Sequence, residues 1–359
     1  MAKPLPLVPL GRSGITVSRV GFGSAPLGDF FEKLDEKTAI ATVEAAFAAS
    51  ITLVDTSPHY GNGLAEHRIG TALRTVPRDS IVISTKIGRV MQPRAPAGGR
   101  HPPARGFVGS LPHKPAFDYS YDGVMRSLEQ SLLRLGTDRI DILLVHDIDA
   151  WSQGEDMVES RYRETMDSGY RALDELRSAG VVKAIGLGLD DHDWCERFLR
   201  EGDFDAVLLA GRYSLLEQPA LATLLPLALE KGVGIMLGGI FNSGILATGA
   251  VPGARYNYEA APPEIMERVA KIEAVCRSHG VPLARAAVQF ALGHPAISTL
   301  VLGAVQPAEI ARNLSAIEES VPAGLWSDLK TEGLLDPAAP APKEEPAQSN
   351  LSQEPTACP

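Results

Sequence analysis

IVISTK (81–86) is a short run of β-branched residues that ends on a lysine. ITLVD (51–55) before it ends on Asp55, and IDILLVH (140–146) after it ends on His146. Continuous apolar runs of this length and composition are the pattern of strands buried on both faces. Working outward, strands are read at 18–23, 52–55, 81–85, 141–145, 182–187, 205–210, 233–237 and 299–303. Helical periods lie between them. Val124, Leu128, Leu132 and Leu135 share one face, as do Leu221, Leu225 and Leu229, and Ile265, Val269, Ile272 and Val275. Pro307 opens a last helix that runs to about Ile317. Strands alternating with helices predict a parallel α/β sheet with right-handed crossovers. At 359 residues the best match is a closed (β/α)8 TIM barrel, with a doubly wound open sheet as the alternative.

A barrel of this kind carries its function at the C-terminal ends of the strands. Asp55, Lys86 and His146 stand at those ends of the second, third and fourth strands, and Tyr60 lies in the loop after the second. Taken singly, each has a plain reading: a cap, a packed ring, a solvated charge, a core histidine. Together they form an acid–base device. A free phenol titrates near pH 10, and a neighbouring ammonium favours its ionised form. A carboxylate would hold that ammonium charged and aimed. An imidazole would position a substrate oxygen while the phenol moves a proton.

The opening LVPLGRSGITVS (7–18) reads as an N-terminal β-hairpin that closes the barrel bottom. Long βα loops at 87–120, 147–168 and 238–263 are expected to shape a pocket. The barrel is expected over 1–335, with 336–359 a disordered Pro/Ala/Glu-rich tail. A net charge of −10 without a basic block argues against nucleic acid and anionic membranes as partners. No apolar run approaches the roughly 20 residues of a membrane span. No signal-peptide core opens the chain. Cys195, Cys276 and Cys358 are odd in number and far apart, which fits a reducing cytoplasm and not a disulfide framework. No metal-ligand spacing is evident, and Asp147 and Asp149 read as solvated charges. A small-molecule substrate is the expected partner; oligomeric state is not legible.

The chain resembles the aldo-keto reductase superfamily. The resemblance is carried by DTSPHYGNGLAEHRIGTAL (55–73), STKIGR (84–89), LLVHD (143–147) and GAVQPAEIARNL (303–314). It implies a barrel that holds a nicotinamide dinucleotide without a Rossmann domain. It also implies a catalytic tetrad at Asp55, Tyr60, Lys86 and His146, with Tyr60 as general acid/base. GYRALDELRSAGVVKAIGLGLDD (169–191) and GGIFNSGILATG (238–249) look like the branch of aldose 1-dehydrogenases and pyridoxal 4-dehydrogenases, which oxidise cyclic hemiacetals to lactones. The family's clamp on the 2′-phosphate of NADP falls on Gly303, Ala304 and Glu309, where no cation remains. This favours NAD, with NADP the lesser possibility. Asn313 matches an adenine contact. Gly23 and Ser24 are expected at the cofactor, and Asn242, Ser243 and Gly244 along its pyrophosphate. Gly188, Leu189, Ala210 and Gly238 replace the family's usual nicotinamide contacts, which leaves Asp190, Arg212 or Tyr213 to hold the carboxamide. His59 is a candidate pocket residue; His101, Arg105 and His113 belong to the first long loop. The rival readings are an NADPH-dependent aldehyde or ketone reductase and a non-catalytic, cofactor-sensing subunit.

Overall fold

The computed structural model describes residues 5–93 and 106–342. Strands β1 (Leu7–Pro9) and β2 (Thr16–Ser18) form an antiparallel hairpin. The barrel strands are β3 (Val20–Gly23), β4 (Leu53–Asp55), β5 (Val82–Gln92), β7 (Ile142–His146), β8 (Ala184–Leu189), β9 (Ala206–Ala210), β10 (Gly234–Gly238) and β13 (Ile297–Gly303). They pair in parallel around a closed ring, β13 meeting β3 and β4 meeting β5. The eight expected strands are all present, and the open-sheet alternative falls away. β6 (Lys114–Asp118), β11 (Arg255–Tyr256) and β12 (Glu259–Ala260) lie outside the ring. The outer helices include α1 (Glu36–Ala48), α2 (Leu64–Ala72) and α3 (Tyr121–Leu135).

Side chains on a strand alternate between faces, and this alternation builds the site. On β7, Ile142 and Leu144 join the inner cluster while Leu143 and Val145 join the outer one. On β4, Leu53 is inner and Val54 outer. On β5, Ile83 and Ile87 are outer. Asp55, Lys86 and His146 continue the inward parity of these three adjacent strands. The inner cluster is completed from below by Leu10, Ile15 and Val17 of the hairpin. Gly11 fits tightly there, since a Cβ would lie 2.3 Å from the Gly234 nitrogen. The hairpin therefore plugs the barrel bottom and leaves only the opposite mouth open.

The long connections are more ordered than the sequence reading has them. Within 87–120, β5 runs six residues past Lys86 and pairs antiparallel with β6. Gly88 permits this: its φ is +108°, and a Cβ would meet the Tyr119 ring at 2.2 Å. His101 and Arg105 lie outside the described residues. The segment 147–168 is not a loop but mostly helix, with α4 (Ala150–Gln153), α5 (Glu155–Glu164) and a π turn at Thr165–Gly169 leading into α6 (Tyr170–Ser178). Val158 and Tyr162 sit four residues apart on its buried face, a period hidden among charges. After β8 and β9 come α7 (His192–Glu201) and α8 (Leu224–Lys231). The segment 238–263 holds α9 (Ile245–Thr248) and the small β11–β12 hairpin. It is followed by α10 (Pro263–Ser278), α11 (Leu283–Leu292), α12 (Pro307–Glu318) and α13 (Ala323–Thr331). Packing continues beyond Leu335, where a tail was expected. Ala339 is buried, and Lys330 Nζ donates to the carbonyls of Pro337 and Ala339 at 2.9 and 2.7 Å. The remainder of the expected tail, 343–359, and with it Cys358, lies outside the described residues. Cys195 and Cys276 are buried free thiols. Among the described residues no helix is long and apolar enough to cross a membrane.

Candidate active site

Register sets the site. Asp55 pairs with Ser84 across β4–β5, Lys86 with Leu144 across β5–β7, and His146 with Gly188 across β7–β8. Lys86 is 1% exposed and Asp55 2%. Lys86 Nζ donates to Asp55 Oδ2 and to the Thr56 carbonyl, each at 2.7 Å. Ser84 Oγ donates to the other carboxylate oxygen at 2.9 Å. A charge this deep requires such partners. Burial pushes the Asp55 carboxyl above its usual range, and Lys86 opposes that shift. Lys86 Nζ lies 5.0 Å from the centroid of the Tyr60 ring.

Tyr60 corrects one expectation. Its phenol is held well above its ordinary pKa by burial first, then by the Asp55 and Asp147 carboxylates. The lowering influence is Arg89 and not the expected Lys86, and desolvation outweighs it, so Tyr60 is a phenol near neutral pH.

His146 is 6% exposed and held well below its ordinary pKa by burial, then by Lys86, Arg89 and His59. It is a neutral imidazole. Its Nδ1 lies 3.1 Å from Ser57 Oγ and 3.3 Å from Arg89 Nη1. A guanidinium only donates, so Nδ1 is the acceptor and the ring proton sits on Nε2.

Tyr60, Lys86 and His146 line a cleft of about 170 Å³ at the mouth. Its walls are largely aromatic: Phe30, Phe31, Phe107, Trp151 and Tyr258, with His59 beside Tyr60. The floor is opened by Gly188, where a Cβ would stand 3.1 Å from Lys86 Cε. Asp147 and Asp190 supply the remaining polar edge. Asp190 is raised to about 7 by burial, then by Asp149 and Asp147. Asp149 is buried, raised to about 6 by burial and Asp147, and one of its carboxylate oxygens has no partner. Neither Asp147 nor Asp149 is a free solvated charge: Asp147 is paired with Arg89 at 2.7 Å, and Asp149 is buried and caps α4 through the Ser152 amide. Asp191, His192 and Asp193 bring ligand atoms within 4.8 Å of one another. Asp191 there caps α7 through the Asp193 and Trp194 amides.

The expected cofactor positions fall into two neighbouring groups and one stray. Gly23 pairs with Gly303 across β3–β13 and with Asp55 across β3–β4. Ser24 follows, its amide bonded to the Asp55 carbonyl at 3.0 Å. Ala304 is buried beside Gly303, and Asn313 Nδ2 donates to the Gly303 carbonyl at 3.2 Å. Glu309 is not free: its Oε2 accepts from the Val305 amide at 2.8 Å, as a first-turn carboxylate does when it caps a helix. Asn242, Ser243 and Gly244 follow β10, the ring neighbour of β13. Asn242 Nδ2 donates to Glu217 at 2.8 Å, and Ser243 Oγ accepts from the Tyr258 amide at 2.9 Å. Space beside Gly244 is open, with no atom within 4 Å of a Cβ. Tyr213 is the stray. It is fully buried, stacked on Phe290 at 5.1 Å and edge-on to His294 at 5.3 Å. It is core, and its place in the sequence after β9 records packing. Arg212 instead donates to the Asp190 carbonyl at 2.6 Å.

Among the described residues, the buried polar atoms around the mouth without a protein partner include Ser24 Oγ, Thr56 Oγ1 and Asn242 Oδ1. Buried polar groups ordinarily find one. With the open space at Gly244, they fit an extended polar ligand laid across β10, β13, β3 and β4, as a dinucleotide would be. The sequence reading missed Arg89, Ser57 and the aromatic walls. Arg89 stands inside STKIGR, yet nothing in spacing separates it from a surface arginine.

The aldo/keto reductase family profile matches residues 19–330. The chain is 41% identical over 332 residues to a pyridoxal 4-dehydrogenase of Microbacterium luteolum, covering 91% of this chain and 97% of that one. It is 38% identical over 331 residues to a D-threo-aldose 1-dehydrogenase of a Pseudomonas species, covering 90% and 96%. Its fold matches that of an aldo-keto reductase from Bacillus halodurans in the holo form, with a TM-score of 0.68 at 23% identity over 95% of this chain and 99% of that one. Barrel, inward-facing side chains and sequence agree: the chain belongs to the aldo/keto reductase family and is an oxidoreductase acting on CH–OH groups.

Proposed function

We propose that this protein is an NAD-linked dehydrogenase that oxidises a cyclic hemiacetal to a lactone, with Tyr60 as the general base. The observation that carries the reading is the array in one small cleft: Lys86 held by Asp55 at 2.7 Å, the Tyr60 ring 5.0 Å from that ammonium, and a neutral His146. The relatives named above support the substrate class, since aldoses and pyridoxal both close such rings. A bound nicotinamide would accept the hydride, the electron pair of the broken C–H bond. The ionised form of Tyr60, its phenolate, takes the proton of the hemiacetal hydroxyl, and that oxygen closes the new carbonyl. His146 donates its Nε2 proton as a hydrogen bond to the substrate oxygen and orients it. The buried Lys86 stabilises negative charge on Tyr60 as the proton arrives and leaves.

Preference for NAD is read from the corner of β13 and α12. Gly303 and Ala304 carry no charge, and Glu309 is an anion engaged with the backbone. A 2′-phosphate placed against these three residues would meet one carboxylate and no cation among them. Assayed with L-fucose, D-arabinose, L-galactose and pyridoxal, the protein should reduce NAD+ at least about tenfold more efficiently than NADP+, a difference of about 1.4 kcal/mol. Folded protein without turnover on any of the four would remove the substrate class. NADP+ preference would reverse the reading of Glu309.

The raised Tyr60 pKa supports a second direction, reduction of a carbonyl with Tyr60 as acid. pH separates the two. Oxidation needs the deprotonated phenol, so its rate should climb with pH through the neutral and alkaline range. Reduction needs the protonated phenol, which the raised pKa preserves, so its rate should stay level there. Initial rates in both directions on one substrate pair give the answer; an oxidation rate independent of pH would remove Tyr60 as the base.

A further inference from the structure

The stretch of β5 beyond Ile87 pairs with β6 and not with a ring strand, yet it is buried as far as Met91 and tightly built. It carries Arg89, which is 7% exposed. Arg89 Nη1 lies 3.3 Å from His146 Nδ1 and 2.7 Å from Asp147 Oδ2. Its guanidinium is stacked on the Phe117 ring at 4.6 Å, and Phe117 belongs to β6, the strand that pairs with this extension. Asp147 reaches the other side of the imidazole, with Oδ1 3.2 Å from His146 Nε2. Asp147 has a φ of +52°, a left-handed conformation that Asp adopts more readily than most residues. Its neighbours hold it there. The Asp147 amide bonds to the Gly188 carbonyl, Gln153 Nε2 donates to the Asp147 carbonyl at 2.8 Å, and Tyr119 Oη donates to the His146 carbonyl at 2.6 Å.

We propose that Arg89 is a positioning residue that locks His146 in the Nε2–H tautomer, and that Asp147 is a placeholder acceptor which a substrate oxygen displaces. The inference rests on the role of His146 proposed above but concerns residues outside the tetrad. Arg89 can only donate, so the neighbouring Nδ1 can only accept. Ser57 Oγ, 3.1 Å from the same nitrogen, donates alongside it. Asp147, tied to Arg89 by its other oxygen, stands where a ligand oxygen would receive the Nε2 proton. The charged and titratable groups around the ring are Lys86 and Arg89 from β5, His59 and Tyr60 from the loop after β4, and Asp147 on its own chain. Removing Arg89 deletes one of the cations that keep the ring neutral.

Nitrogen NMR of histidine-labelled protein reads the tautomer directly and needs no substrate. Wild-type protein at pH 7 should show His146 as a single neutral Nε2–H form, and Arg89→Met a mixture of tautomers with a raised His146 pKa. In turnover, Arg89→Met should lower kcat roughly tenfold or more, leave the Kd for cofactor within twofold, and move the acid limb of kcat/KM to higher pH. Arg89→Lys keeps the charge without the planar fork, and should restore the acid limb but only part of kcat. Asp147→Asn should lower KM less than it lowers kcat. A wild-type Nδ1–H tautomer, or a kcat loss in Arg89→Met with an unmoved acid limb, overturns the proposal. A confirmed tautomer in a protein that turns over no hemiacetal leaves this inference standing and removes the functional reading instead.

Discussion

Tyr60→Phe should lower kcat for the proposed hemiacetal oxidation by roughly 10²- to 10⁴-fold, the span that a positioned acid–base group contributes. The substitution removes one oxygen and leaves the ring. That ring is stacked near Phe107 at 6.0 Å and edge-on to His146 at 6.0 Å, so its packing survives. The Lys86–Asp55 pair does not depend on the hydroxyl, because Lys86 donates to Asp55 and Thr56 and meets only the face of the ring. Cofactor affinity should therefore stay within about twofold, and the thermal midpoint within a few degrees, since no buried charge is left unpaired. Stopped-flow single turnovers locate the loss in the chemical step. An intact single-turnover rate would take Tyr60 out of proton transfer, and a loss confined to KM would make it a binding residue.

Tyr60 also shows how much of the site was legible in the chain. The strand ends could be read because β-branched runs stop where the polar groups begin, and period-two alternation then aims Asp55, Lys86 and His146 inward together. The hairpin could be read because Gly11 and Gly14 punctuate two apolar arms. What could not be read came from contacts distant in sequence. Arg89 looks like any arginine until Phe117, 28 residues later, returns as a strand to stack on it. Asp147 and Asp149 look solvated until Arg89 pairs with the one and the start of α4 takes up the other. Tyr213 looks like a mouth residue until Phe290 and His294 enclose it. The phenol pKa was misjudged for a related reason. Proximity to Lys86 is written in the sequence pattern, while the desolvation that raises the phenol depends on the whole enclosing wall.

The other large effect lies in the Lys86–Asp55 pair, where activity and stability separate. Lys86→Met removes the ammonium proposed to support charge on Tyr60, so turnover should fall about as far as in Tyr60→Phe. It also leaves the Asp55 carboxylate buried beside Ser84 alone, and breaking a buried pair from one side costs about 3–5 kcal/mol. Asp55 can avoid part of that cost by taking a proton, because burial already drives its pKa upward and Lys86 was the opposing influence. In Lys86→Met the folded-state pKa of Asp55 then stands well above its unfolded value. The stability tied to that proton is fully present below the unfolded pKa and is lost as pH rises through the folded one. The deficit of Lys86→Met relative to wild type should therefore be small near pH 4–5 and grow toward pH 8. Asp55→Asn with Lys86→Met carries no charge at either position. It should be more stable at pH 8 than Lys86→Met alone, with a deficit that pH does not change, while remaining as inactive. Urea unfolding of the wild type, both single variants and the double variant at pH 5 and pH 8 closes the cycle. Additive losses independent of pH would mean that the two groups are not energetically coupled, and the buried charge would then have to be neutralised by something other than the proton on Asp55.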